Sequence, residues 1–480
     1  MTTGTTREAV VLVGPRLTLH HDNGDDTLLV DVDGTPTPMC PDDADSYVEA
    51  RFGLPDLTEV EHVDGGPRGV RRRHILSGTS ASIGGLLTAS FMPRYSFSGT
   101  TAQTTAAGAT KPLLICVFMR GGYDGLSGIV PVNDSNYYKA RPGIGVPQEE
   151  TVSLDSTWGM NKNLSGFQSL WKAGQLAVLQ GCGSPDLVRS HFEDQATVER
   201  AAPATMRSGW LGRHLQTVSS SGTFRGVTLG NSAALSLTTN ALETLAVSSI
   251  DAFDLRTEGT AAVQTNVSRI IDEMYLGAGG ALQEQAKVIF GAIDTLKQLR
   301  GMNTTPANGA SYPTGTWGTG LSEVARLSRL GLGMEVAAID YGNWDMHGGV
   351  GKAANPQDWF SKQAREFSTG LEALRVDLGD QWDNTIVVTM SEFGRRVLEN
   401  GSGGLDHGHG NTMFIMGGGV KGGVYGQIPS LAPANLVEGD VPITLDYRQA
   451  LWEIVGKHLG NSHVDQVFPG FAPGTDLGVV

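Results

Sequence analysis

Residues 113–119 read "LLICVFM" and run straight into "RGGYDG" (120–125), and this stretch decides the fold. An apolar run of this length, without alternation and closed by glycines, is how a strand buried on both faces reads. Further along, "LSGFQSLWKAG" (164–174) has helical spacing and leads into a second apolar run, "LAVLQGCG" (176–183). The order repeats in "LSEVARLSRLGLG" (321–333) before "MEVAAIDYG" (334–342), and in "PQDWFSKQAREFSTGLEALRVDLG" (356–379) before "TIVVTMS" (385–391). Helix followed by strand, several times over, predicts an α/β protein with a mainly parallel central sheet flanked by helices. The serine- and threonine-rich stretch from about 209 to 275, with "GVTLG" and "ALSLT", reads as an inserted cap. The glycine- and proline-rich segment 301–320 reads as a long loop.

Composition limits the function. The chain has 480 residues, 40% of them hydrophobic and 18% charged, enough for one large core or two ordinary ones. A net charge of -15 argues against a nucleic-acid or anionic-lipid partner, which requires basic patches. An anionic substrate must then be met by local charge or by a metal. The chain shows neither a G-x-S-x-G elbow nor a phosphate-cradling G-x-x-x-x-G-K-[ST] loop.

"RRRHILSG" sets Arg72 and Arg73 before a weakly apolar stretch, Thr79 to Met92, and Ala107-Gly108-Ala109 offers a small-residue cleavage site. Residues 71–109 are therefore expected to be a twin-arginine signal, with export through that machinery to the periplasm, cell envelope or exterior. A basic linker between domains is the alternative. Residues 1–70 precede the arginines and contain strand-like runs, "AVVLVGPRLTLHH" and "TLLVDVDG", so their status is open. No stretch reaches the roughly 18 apolar residues of a spanning helix, and no transmembrane segment is expected. Cys116 and Cys182 sit in apolar runs and read as buried free thiols, with a disulfide between them as the alternative.

Groups that carry chemistry stand where the expected strands stop. Asp124 follows the first, Asp345 and His347 follow "MEVAAIDYG", Glu392 ends "TIVVTMS", and His407 and His409 in "GLDHGHGNT" precede "TMFIMGGG". Ligands of open α/β sheets bind at the carboxyl ends of strands, so these six are candidate ligands for a divalent metal: zinc first, manganese or calcium as alternatives. The glycines beside His407 and His409 are expected to let the backbone turn sharply around an ion. Each also has a plainer reading: Asp124 as a turn aspartate, Asp345 as a cap beside a surface histidine, Glu392 as an ion-pair partner of Arg395 and Arg396, and "DHGHG" as an exposed loop.

Several long motifs occur in order. They are "LLICVFMRGGYDGLSGIVPVNDSNYYKARPGIGVP" (113–147), "RSHFEDQ" (189–195), "GWLGR" (209–213), "WDMHGG" (344–349), "MSEFGRRVLENGSGGLDHGHGNTMFIMGGGVKGG" (390–423) and "DYRQALWEIVGKHLG" with "VFPGF" (446–471). Together they resemble the DUF1501 family over about residues 111–471, which in turn looks like a branch of the alkaline phosphatase-like superfamily. The resemblance implies that fold for residues 110–480 and hydrolysis of a phosphate or sulfate ester, small or polymer-borne. It implies metal roles for Asp124, Asp345, His347 and His407 or His409, and a nucleophile at Ser190, with Arg189 or His191 beside it to hold an oxygen or move a proton. Where the superfamily carries an Asp-His pair, this chain has Glu392 and Phe393, which puts a two-zinc site in doubt. Ser190 also reads as the N-cap of the following helix. A catalytically degenerate secreted member that binds envelope polymer or a partner protein is the other function the sequence allows.

Overall fold

The structure is a computed structural model. It describes residues 111–186, 188–219, 224–230, 233–239, 245–247, 249–251 and 291–480, with three short strands before them. The chain divides into two compact units, Met1–Ser90 with Ser190–Asp194, and Phe91–Arg189 with Gln195–Val480. In the first, His20–His21, Leu28–Val32 and Thr35–Met39 pair as an antiparallel sheet. The expected twin-arginine region, 71–109, lies outside the described residues.

In the second unit nine strands form one sheet. They are β1 (Leu113–Phe118), β2 (Leu176–Gly183), β3 (Gly226–Leu229), β4 (Leu245–Val247), β5 (Val336–Asp340), β6 (Thr385–Met390), β7 (Asn411–Gly417), β8 (Gly423–Tyr425) and β9 (Leu445–Asp446). Their order is β4-β3-β5-β1-β6-β7-β2-β8, with β9 also on β2. β1 lies between β5 and β6 and runs parallel to both, Leu114 opposite Val336 and Leu113 opposite Thr385. Within this sheet, only β7 of the described strands runs against its neighbours. The α/β class with a mainly parallel sheet is therefore as expected.

Both faces of β1 are apolar because each meets its own core. Leu113, Ile115 and Val117 join Trp317, Leu321, Phe367 and Leu371 from helices Thr316–Arg329 and Trp359–Leu378 on one side. Leu114, Cys116 and Phe118 join Trp210, Leu211, Ala450 and Leu451 on the other. Cys116 and Cys182 are both free and buried, and burial pushes both thiols well above their ordinary range. Their disulfide is thus not formed.

Two expectations are corrected. Of the supposed cap at 209–275, β3 pairs with β5 and β4 with β3, so these two strands extend the sheet, while helix Trp210–Thr217 packs Trp210 and Leu211 on its face; 252–275 lie outside the described residues. The expected loop 301–320 ends at Gly315, because Gly318 and Gly320 are helical positions pressed on neighbours. A Cβ on Gly320 would stand 2.7 Å from Ile339. No described helix is long and apolar enough to cross a membrane.

Phe414 of β7 is fully buried against Phe167 and Tyr123. Phe414→Ala is expected to cost about 3–5 kcal/mol in denaturant unfolding, the usual range for an aromatic removed from a core. An unchanged midpoint would show that β7 does not anchor the sheet.

Candidate metal centre

The reversed direction of β7 assembles the site. Its first residue, Asn411, pairs with Cys182 near the end of β2, and its last, Gly417, pairs with Ile386 near the start of β6. The histidine loop that precedes β7 therefore opens at the carboxyl edge of the parallel strands, where the segments after β1, β5 and β6 also emerge.

Residues 393–397 and 406–410 then lie alongside each other. Gly394 N donates to His409 O (2.8 Å), Gly408 N to Gly394 O (2.8 Å) and Arg396 N to Asp406 O (3.0 Å). A Cβ on Gly408 would meet Arg395 C at 2.5 Å, and one on Gly404 would meet His347 O at 2.0 Å. None of Gly404, Gly408 and Gly410 has a left-handed φ. The expectation of sharp turns is corrected: glycine stands here because two backbones approach closer than a side chain permits.

Ligand atoms of Asp345, His347 and His407 lie within 4.8 Å of one another. His347 Nε2 is 3.0 Å from His407 Nε2 and 3.0 Å from Asp345 Oδ1, with 3.8 Å from His407 Nε2 to the same oxygen. The outer ring nitrogens face oxygens. His407 Nδ1 is 2.7 Å from Arg189 O, and His347 Nδ1 is 3.6 Å from Asp406 Oδ1. A carbonyl only accepts, so the His407 proton sits on Nδ1 and the Nε2 lone pair faces inward. Burial works to raise the Asp406 carboxyl, but hydrogen bonds from Asn400 and His347 outweigh it and hold it below its ordinary range. Phe393 lies against the His407 ring, centroids 4.6 Å apart.

Arg395, 2% exposed, fixes the remaining ligand. It donates to Asp345 Oδ1 (2.5 Å), to Gly122 O (2.8 Å) and to Leu405 O (2.9 Å). In the sequence it was only a possible partner of Glu392.

The other candidates are placed differently. Asp124 does not join the three ligands: both its oxygens are taken by Arg141, at 2.6 and 3.0 Å, and it caps helix Gly125–Gly128 through Ser127 N. Glu392 also stays apart, accepting from Gly121 N (2.8 Å) and Gln195 Nε2 (3.0 Å), which pins the segment after β1 to that after β6. His409 Nδ1 is 3.1 Å from Asp440 Oδ2, and its Nε2 accepts from Arg189 Nε at 3.3 Å. The Arg189 guanidinium reaches Glu438 (2.6 Å) and Asp440 (3.0 Å). Ser190 precedes helix His191–Arg200, and its Oγ is shielded from solvent with no hydrogen-bond partner among the described residues, so it is not the side-chain cap that was the alternative reading. His191 is buried at the start of that helix, one turn before Gln195.

Arg141, Gln195 and Asp440 escaped the sequence reading, and Arg395 entered it only as a partner of Glu392. The i, i+4 spacing of His191 and Gln195 was the available signal; for Asp440, in "EGDVP", there was none. A surface hollow of about 740 Å³ lies elsewhere, lined by Asn308, Arg329, Asp377 and Asp383 near the start of β6 at the opposite edge.

Comparison with known proteins gives three findings. The sequence profile of a family described as "Protein of unknown function (DUF1501)" matches residues 178–460. No curated protein matches the chain. Among solved structures, the chain is similar to the PsFucS1 sulfatase from Pseudoalteromonas sp., with 11% identity over 77% of this chain and 73% of that one and a TM-score of 0.33.

Asp124→Asn leaves Arg141 buried without its carboxylate partner. It is expected to cost about 3–5 kcal/mol in urea unfolding, as removal of one member of a buried pair does. A loss below that of an exposed Asp→Asn control would show that the pair carries no structure.

Proposed function

We propose, on the premise that this chain belongs to the DUF1501 family, that Asp345, His347 and His407 hold a divalent cation, and that the site hydrolyses a phosphate or sulfate ester. The family is one of unknown function, so the reading rests on the site. The observation that carries it is the meeting of two imidazoles Nε2 to Nε2 at 3.0 Å, with the His407 proton already committed to Arg189 O. Either a proton lent by His347 or a cation must sit between them. Asp345 on the same side and Asp406 behind His347 favour the cation, in the carboxylate–histidine–metal pattern. Two imidazole nitrogens and one carboxylate suit zinc, with manganese or calcium as alternatives.

When bound, such an ion stabilises charge on the ester oxygens and acidifies a hydroxyl beside it. The chain does the rest. Arg395 holds Asp345 in place, and its Gly122 and Leu405 hydrogen bonds keep it out of reach of substrate. Ser190 is the proposed nucleophile, because its Oγ lacks a described partner and stands before a helix whose dipole favours an anionic oxygen. The substrate is a small or polymer-borne ester, met outside the cytoplasm after export through the twin-arginine machinery.

A second reading has its own support. With Asp124 and Glu392 committed internally, the three clustered ligands provide for one ion rather than two. A catalytically degenerate, secreted binding protein for envelope polymer or a partner fits that smaller site.

The test is metal content of the purified protein beside His347→Ala and His407→Ala, followed by a screen of phosphate and sulfate esters with Ser190→Ala as control. Stoichiometric metal in the parent, lost in both histidine variants, with turnover that Ser190→Ala abolishes, is the expected result. Metal without turnover on either ester class selects the binding reading. Absence of metal after reloading with zinc, manganese and calcium overturns both metal assignments.

A further inference from the structure

The polar residues behind His407 form a continuous path of ion pairs and hydrogen bonds. Asp440 is fully buried and its Oδ2 lies 3.1 Å from His409 Nδ1 and 3.0 Å from Arg189. An arginine Nε–H only donates, so the His409 nitrogen that faces it, Nε2, carries the lone pair, and the proton of the neutral ring is on Nδ1. That lone pair receives Arg189 Nε–H at 3.3 Å. The guanidinium is thus held from two sides, by Asp440 and by His409, with exposed Glu438 as a third contact. Arg189 itself has φ +66°, a left-handed conformation that a non-glycine residue keeps only when its surroundings impose it. In that conformation its carbonyl receives His407 Nδ1–H at 2.7 Å.

From this path we infer that Asp440 is a positioning residue for the metal centre. Through His409 and the Arg189 side chain it locks the strained Arg189 backbone, and the Arg189 carbonyl locks His407 in the tautomer that points Nε2 at the ion. Arg189 and His409, candidate oxygen-holding and ligand residues from the sequence, then act behind the ligands instead of on substrate. Arg396 adds a looser contact to the same carboxylate, at 3.8 Å. The structural signature is a buried acid that binds nothing in the cluster directly, yet determines which nitrogen of His407 is bare. Outer partners of this kind are worth about 10–100-fold in metal affinity.

This inference rests on the metal reading above, and its experiment separates the two. Histidine-selective isotope labelling of the metal-free protein reports by NMR which ring nitrogen of each histidine is protonated, and zinc affinity is measured separately by chelator competition. In the parent, His407 is expected as the pure Nδ1–H tautomer. In Asp440→Asn it becomes a mixture, and zinc affinity falls about 10–100-fold. Asp440→Glu restores part of both, and Glu438→Gln, at the solvent-exposed end of the same guanidinium, changes neither. If Asp440→Asn does not fold, His409→Gln interrupts the path from a less buried position and is read the same way. A His407 tautomer that ignores both substitutions overturns the positioning role, even in a parent that binds zinc. A parent that binds no zinc, but whose His407 tautomer follows Asp440, overturns the metal reading and leaves the hydrogen-bond path standing.

Discussion

The guanidinium of Arg395 is the interaction on which the site's architecture depends. A buried cation must be compensated where it lies, and this one finds a single carboxylate, Asp345, supplemented by backbone carbonyls of Gly122 and Leu405. Those partners belong to the segments after β1 and β5 and to the histidine loop, while Arg395 follows β6. One side chain therefore ties four chain segments at one edge of the sheet. Glu392, three residues earlier, does the same in the opposite sense by accepting from Gly121 N and Gln195.

Around that pair the positions of the ligands follow from backbone geometry. Residues 393–397 and 406–410 pack so closely that Gly394 and Gly408 leave no room for a Cβ, and this closeness presents His407 beside His347. Gly121 has φ +106°, and a Cβ there would stand 2.6 Å from Asp345 N, so the segment after β1 touches the ligand-bearing segment after β5 directly. Beneath lies a rigid aromatic layer in which Tyr123 meets Trp344 edge-on at 4.8 Å and Trp344 lies 5.9 Å from Phe360. A site held by backbone and packed rings has its ligands in place before anything binds, which lowers the ordering cost of binding.

The two carboxylates that remain outside the cluster show why residue type alone misleads. Asp124 and Glu392 stand at strand ends, the right place for ligands, and each is claimed by a closer partner: Arg141 for one, the Gly121 amide and Gln195 for the other. Arg141 is seventeen residues from Asp124, in a segment with no periodic pattern to suggest the pairing.

The sequence by itself determined that β1, β2, β5 and β6 are buried strands and that helices alternate with them, because hydrophobic period and glycine stops are local properties. It also marked the segments that carry Asp345, His347 and His407, since their acid and histidine content stands out between apolar runs. Only the tertiary structure decided that β7 runs antiparallel, which places the loop before it at the carboxyl edge, and that 226–229 and 245–247 extend the sheet instead of capping it. Strand direction and pairing partner depend on how the chain returns across the sheet, and the ion pairs and hydrogen bond among Asp440, Arg189 and His409 join residues up to 251 positions apart. No local pattern records them, because the free energy that selects them comes from desolvated charges finding each other only after the core has closed.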